Sequence, residues 1–170
     1  MKLFFVIIII LFAGIAGYVY KNKFKMHLET LNMLKEYVDC LEANITLFKT
    51  NLLEIKNMFI IMQKNKNAKH VEILEKSKEF ELVSFEILKN YLNNEGVFKS
   101  IESYFKMLGK NEYDFECRQL NVIKIYLINE INKSEIELKT KGDLGFKIAL
   151  AIGAVLSILV WWKYGCFCFV

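Results

Sequence analysis

Two long apolar runs, one near each end of the chain, restrict the possible folds more than any other feature. Residues 3–20 carry no charge, and residues 144–162 carry only Lys147, whose long side chain can reach the lipid headgroups. Both runs have the roughly 17–25 residues that a helix needs to cross a bilayer. Trp161 and Trp162 close the second run, where interfacial aromatic side chains are common. The sequence therefore predicts a transmembrane helix near each end.

A cleaved signal peptide is the alternative interpretation of the first run. Lys2 supplies a short basic region, and residues 14–16 (Gly-Ile-Ala) resemble a cleavage site. However, Lys21, Lys23 and Lys25 follow the run at once, and such residues hold their side of a segment in the cytoplasm. We therefore expect an uncleaved anchor, with a secreted helical protein as the alternative.

Lysine flanks the two runs mainly on their inner sides, and only Lys2 and Lys163 lie on the outer sides. The positive-inside rule then places the central part in the cytoplasm and both termini outside. The predicted divisions are an N-terminal transmembrane helix (1–20), a cytoplasmic helical domain (21–143), a C-terminal transmembrane helix (144–163) and a short apolar tail (164–170).

The central part is predicted to be helical. The chain has no Pro and only 8 Gly, which favours long helices, and no segment alternates with a period of two. Between residues 31 and 62, apolar residues recur at alternating spacings of three and four, as in a heptad seam. These seam residues are Leu31, Leu34, Val38, Leu41, Ile45, Phe48, Leu52, Ile55, Phe59 and Met62.

Three questions about this seam stay open at the level of sequence. Asn51 and Glu54 have the spacing of a capping box, so residues 28–62 form either one helix or two. The seam is either internal or a surface for a partner, and the oligomeric state is undetermined. Further helices are predicted at 70–92, 97–108 and 111–141, with Gly109 as a C-terminal cap. The fold class is an all-α, membrane-anchored helical bundle.

Small residues at helical spacing occur in both transmembrane runs and predict close helix packing. Such rows let another helix backbone approach, either within a hairpin of the two runs or from a partner. The first row is Ala13 and Gly17, and the second is Gly145, Ala149, Gly153 and Ser157.

No residue pattern predicts catalysis. His27 beside the first run and His70 in a polar segment lack partners at metal-ligand spacing, and neither a nucleophile elbow nor a phosphate loop is present. Cys166 and Cys168 form only a C-x-C, a weak metal or redox signal whose role stays open. With Arg118 as the single Arg, nucleic-acid binding is disfavoured. We expect no enzymatic activity, cofactor, metal or small-molecule substrate.

The order of several short motifs resembles the stage III sporulation protein AB family, of which the chain looks like a divergent member. Residues 41–45 (Leu-Glu-Ala-Asn-Ile) resemble the family's Leu-Glu-x-Glu-Ile, and residues 50–52 (Thr-Asn-Leu) stand where it has Thr-Pro-Leu. Residues 105–109 (Phe-Lys-Met-Leu-Gly) resemble its Phe-x-x-x-Leu-Gly block. Glu112 and Glu116 follow where the family carries Asp and Gln, and the run opening at Leu144 resembles its closing membrane segment.

This resemblance implies a component of the multi-protein complex that spans the double membrane between mother cell and forespore and is required for spore formation. The implied role is that of a platform or adaptor similar to the inner-membrane platform protein of type II secretion, in the mother-cell membrane around the forespore. Implied partners are other stage III A proteins, in particular the secretion-type ATPase stage III sporulation protein AA. The candidate interaction residues are Leu41, Glu42, Ile45, Leu52, Leu108, Gly109, Glu112 and Glu116. A generic membrane-anchored coiled-coil or division protein is the alternative.

Overall fold

The computed structural model describes residues 2–48, 51–65, 69–77, 81–108 and 113–165. Within these ranges the chain is helical and contains no strand, so the predicted all-α class is confirmed. The elements in chain order are α1 (Lys2–Phe48), α2 (Leu52–Asn65), a 3-10 turn (Lys69–Val71), α3 (Glu72–Glu75), α4 (Phe85–Tyr91), α5 (Glu95–Met107), α6 (Tyr113–Glu137), a π-helical segment (Leu138–Gly142) and α7 (Asp143–Gly165).

The chain divides into two compact units, residues 1–25 with 135–170, and residues 26–134. The first unit pairs the beginning of α1 with α7. Both helices are long and apolar enough to cross a membrane, and only 6% and 11% of their most apolar stretches are buried. A core helix of a soluble protein would instead bury most of such a stretch. Side chains such as Phe12 and Trp162 stay exposed, as in helices that face lipid.

The second unit is a bundle in which one helix is buried on most of its faces. Leu31, Leu34, Val38 and Leu41 of α1 are fully buried, and so is Ile55 of α2. The described seam side chains from Leu31 to Phe59 are therefore internal to this unit, with Leu52 partly buried and the side chain of Phe48 outside the described part. Met62, its last predicted member, is 43% exposed. Met33, Tyr37, Ile45 and Phe59 also belong to this core. The later part of the chain contributes Ile73, Leu74, Leu82, Val83, Leu88, Leu92, Val97, Ile101, Phe105, Leu108, Leu120, Ile123 and Leu127.

Asn51 decides the question of one helix or two. α1 ends at Phe48 and α2 begins at Leu52. The Asn51 side-chain oxygen accepts a hydrogen bond from the Leu53 backbone N–H at 3.0 Å, which satisfies one of the unpaired donors of the helix N-terminus. The capping alternative was therefore the correct one.

The prediction of a single helix over residues 70–92 was wrong. The structure has a 3-10 turn and the short α3, then residues 76–77 and 81–84 outside any helix, and then α4. Just after the end of α3, the Ser77 hydroxyl donates a hydrogen bond to the Leu74 carbonyl at 2.7 Å. The Ser84 N–H donates to the Ile73 carbonyl at 2.7 Å. Local polar contacts thus replace the helical ladder that apolar periodicity predicted.

Asn94 lies after the end of α4 and caps the N-terminus of α5. Its side-chain oxygen accepts from the N–H groups of Gly96 and Val97, so α5 begins at Glu95, two residues before the predicted start. The predicted caps at Gly109 and Asn111 lie outside the described residues.

Candidate interaction sites

The small residues of α1 and α7 lie against each other in the first unit. A Cβ atom built on Gly17 would lie 3.0 Å from the Ala149 Cβ and 3.2 Å from the Phe146 Cα. A Cβ atom on Gly153 would lie 2.5 Å from the Ala13 Cβ. Neither position has room for a side chain, because the opposing atoms belong to backbone or Cβ rather than to a flexible chain end.

Two further predicted packing residues complete this contact. A Cβ atom on Gly145 would overlap the Tyr20 ring, and Ser157 is buried with its hydroxyl donated to the Gly153 carbonyl at 2.8 Å. Lys21 Nζ and an Asp143 carboxylate oxygen are 2.7 Å apart at one end of the pair. The structure therefore brings all six predicted packing residues into one helix–helix interface within the chain.

The first predicted interaction segment, residues 41–52, lies mainly in the core of the second unit. Leu41 and Ile45 are buried and Leu52 is partly buried. Glu42 instead reaches Lys124 of α6, with its carboxylate 2.7 Å from the ammonium nitrogen. This motif glutamate therefore joins two helices of the bundle.

Lys124 is held by two carboxylates, and sequence analysis did not identify it. The second is Asp39, 3.0 Å away, which also pairs with Lys35 at 2.7 Å. The hydrogen bonds that Lys124 donates to Glu42 and Asp39 raise the pKa of Lys124. Partial burial would raise the pKa of Asp39, but Lys35 and Lys124 together lower it. No spacing rule predicts a partner 82 residues away.

The second predicted segment, residues 108–116, is only partly described. Leu108 is buried, whereas Gly109 and Glu112 lie outside the described residues. The expectation that Glu116 faces solvent was wrong, because its side chain is 7% exposed. Glu116 precedes the buried Leu120 by four residues, and that spacing places both on the inward face of α6.

Both histidines are buried and have polar partners, which the sequence did not predict. His27 is buried, and its Nδ1 lies 3.3 Å from the Asn93 backbone N–H. His70 is also buried, with Nε2 3.3 Å from a Glu29 oxygen and Nδ1 3.4 Å from the Thr30 hydroxyl. The available signal was spacing, since His27 precedes Leu31 by four residues and so extends the buried seam backwards.

The cysteines form no site among the described residues. Cys40 and Cys117 are half-buried free thiols, and burial raises the pKa of Cys40. Cys166 and Cys168 lie outside the described part of the chain. No group of three or more His, Cys, Asp or Glu side chains that could hold a metal ion occurs in the described ranges.

These features define a protein that is helical over its described residues and whose two apolar helices are long enough to cross a membrane. The chain belongs to the stage III sporulation protein AB family, whose family model matches residues 2–161. The resemblance read from the sequence motifs is thereby confirmed. No curated protein and no solved structure matches the chain. The protein is accordingly a sporulation protein of a family that is not known as an enzyme family.

Proposed function

We propose that this protein is a non-enzymatic platform or adaptor in the membrane complex between mother cell and forespore. The observation that carries the proposal is the family match over residues 2–161. The architecture supports the proposal. A pair of apolar helices long enough to cross a membrane accompanies a helical bundle that has a substantial core of its own. Such a bundle offers contact surface to a partner.

The proposed partner of the bundle is the secretion-type ATPase, stage III sporulation protein AA. The docking surface lies at the start of α6, where Asp114 is exposed in the first turn. Exposed helix N-termini carry partial positive charge and unpaired N–H groups, which acidic side chains there complement. Glu112 extends this acidic segment in the sequence, whereas the buried Glu116 belongs to the core.

The test is binding of the full-length protein in detergent to the purified ATPase. Asp114→Lys reverses an exposed charge at the proposed surface, and Glu95→Lys reverses an exposed charge in the first turn of α5 as the matched control. We expect about tenfold weaker binding for Asp114→Lys, equal to a 1.4 kcal/mol loss, and unchanged binding for Glu95→Lys. Equal affinities for the wild type and both variants would remove this surface from the proposal.

The role itself is tested in cells. Deletion of the gene in an endospore former should block spore formation after engulfment begins, and the wild-type chain should restore it. Normal spore yield combined with a vegetative division defect would favour a general structural protein instead.

A further inference from the structure

A cavity of about 450 Å³ opens on the surface of the second unit. Its volume is within the roughly 300–1,000 Å³ of small-ligand sites. α1 contributes one lining residue, and the others come from α3, the residue that follows it, and α4. The lining residues are Met26, Glu72, Lys76, Ile87, Asn90 and Tyr91.

The polar side of the cavity carries one negative and one positive side chain. The Glu72 carboxylate accepts a hydrogen bond from the Tyr91 hydroxyl and lies 3.2 Å from Lys76 Nζ. This hydrogen bond raises the pKa of Tyr91 to about 12, so the phenol stays a neutral donor at physiological pH. Lys76 is largely exposed and Asn90 is exposed, so both can turn to a ligand.

The buried histidine behind the cavity fixes this polar side. The Tyr91 ring packs edge-on against His70, with the ring centres 4.9 Å apart. His70 is held in turn by Glu29 and Thr30 of α1. Tyr91 and Glu72 are therefore oriented before any ligand arrives, which lowers the entropic cost of binding.

This lining selects a particular ligand chemistry. The Glu72–Lys76 pair has no net charge, so an ion of one sign gains little overall, whereas a zwitterion meets a matching group at each end. Glu72 can accept hydrogen bonds from an ammonium group, and Lys76 and Asn90 can donate to a phosphate. Met26 and Ile87 provide apolar surface beside these groups.

The position of Met26 in the chain indicates where such a ligand comes from. Met26 follows Tyr20, the last residue of the first apolar run, by six positions. Even a fully extended connection of this length spans only about 20 Å, so headgroups of a bilayer that holds the first apolar run would be within reach of Met26. We propose that the cavity binds the ammonium–phosphate headgroup of an aminophospholipid of the phosphatidylethanolamine type.

The experiment uses the full-length protein in detergent with equal amounts of phosphatidylethanolamine and phosphatidylcholine, and native mass spectrometry to count retained lipid. Choline cannot donate hydrogen bonds from its nitrogen, so Glu72 distinguishes the two headgroups. Glu72→Gln with Lys76→Met removes both charges. Glu102→Gln with Lys106→Met is the control, since that pair on α5 has the same spacing and similar exposure. Asn90→Asp is a second test variant at an exposed residue.

We expect about tenfold preference of the wild type and the control for phosphatidylethanolamine, and loss of that preference in the double variant. Asn90→Asp should retain less of both lipids, because its carboxylate repels the phosphate that they share. Circular dichroism checks that each variant is folded, and Asn90→Asp keeps the test decisive if the double variant is not. Equal retention of both lipids by the wild type would overturn the proposal, as would unchanged retention of phosphatidylethanolamine by Asn90→Asp. Tight binding of soluble phosphoethanolamine without retention of the lipid would overturn the lipid source. ATPase binding is not measured, so the outcome is independent of the proposed adaptor role.

Discussion

Glu42 and Lys124 form an ion pair, 2.7 Å long, between helices whose contacting residues are 82 positions apart in the sequence. Both side chains are about one-third exposed, so solvent weakens the pair without abolishing it. The pair gives the motif residue Glu42 a structural role in the bundle. Removing Glu42 would therefore disturb the bundle as well as the surface around it, so a binding role needs a different test.

We expect the Glu42–Lys124 pair to stabilise the bundle by about 0.5–1 kcal/mol. The measurement is a double-mutant cycle of Glu42→Gln and Lys124→Met, followed by thermal unfolding of the full-length protein in detergent. The cycle of Glu102→Gln and Lys106→Met, an exposed pair within one helix, should give less coupling. A coupling free energy near zero between Glu42 and Lys124 would show that their ion pair does not stabilise the bundle.

The Lys124 cluster should also lose its contribution at both extremes of pH. Lys124 has a raised pKa, so its stabilising effect is complete below the unfolded pKa and is lost as the pH rises through the folded value. Asp39 has a lowered pKa, so its effect is present above the unfolded pKa and is lost as the pH falls through the folded value. Melting curves of wild type and Lys124→Met should converge in both ranges and differ most near neutral pH.

Lys56 should make the stability of the protein rise with pH in the alkaline range, which is the opposite of the effect of Lys124. Its ammonium is buried and donates to the Ser77 hydroxyl at 3.0 Å and to the Glu81 carbonyl at 3.1 Å. Burial lowers its pKa, so the unfolded chain binds more protons and stability rises as the pH increases between the folded and unfolded values. Lys56→Met should abolish this rise. The variant should also lose about 1–3 kcal/mol at neutral pH, because it leaves the Glu81 carbonyl without its donor.

Gly153→Leu should open the contact between α1 and α7 without preventing membrane insertion. Leucine there would meet Ala13, and overpacking of this kind costs about 1–3 kcal/mol. Ala154→Leu is the control, because the next residue is exposed. The measurement is the yield of a short bifunctional cross-link between cysteines that replace Lys21 and Asp143, in a chain without its native cysteines. Equal yields in the two variants would show that Gly153 is not required for close approach.

The proposed orientation predicts which cysteines a membrane-impermeant thiol reagent can label. Lys99 is exposed on α5, so Lys99→Cys in an otherwise cysteine-free chain should be protected in intact cells and labelled after permeabilisation. A cysteine added after Val170 should be labelled in intact vegetative cells that produce the chain, because both termini are proposed to lie outside and no engulfing membrane encloses them there. The reverse labelling pattern would contradict a cytoplasmic bundle.

The sequence by itself determined the class of the fold and most of its apolar contacts. Apolar runs of bilayer length, the absence of Pro and the spacing from Leu31 to Phe59 are local patterns, and local patterns specify helices and their buried faces. Residues four apart lie on one side of a helix, which is why Gly145, Ala149 and Gly153 indicate a packing face once this segment is known to be helical. Motif order was sufficient to identify the family.

Only the tertiary structure decided what the polar residues do. Lys56 bonds to Ser77 and to the Glu81 carbonyl where periodicity predicted a continuous helix, because long-range hydrogen bonds outweigh a weak local preference. The same applies to the pairing of Glu42 with Lys124 and to the burial of His27 and His70. A polar side chain is equally compatible with solvent and with a distant partner, so its role follows from which surfaces meet when the helices pack.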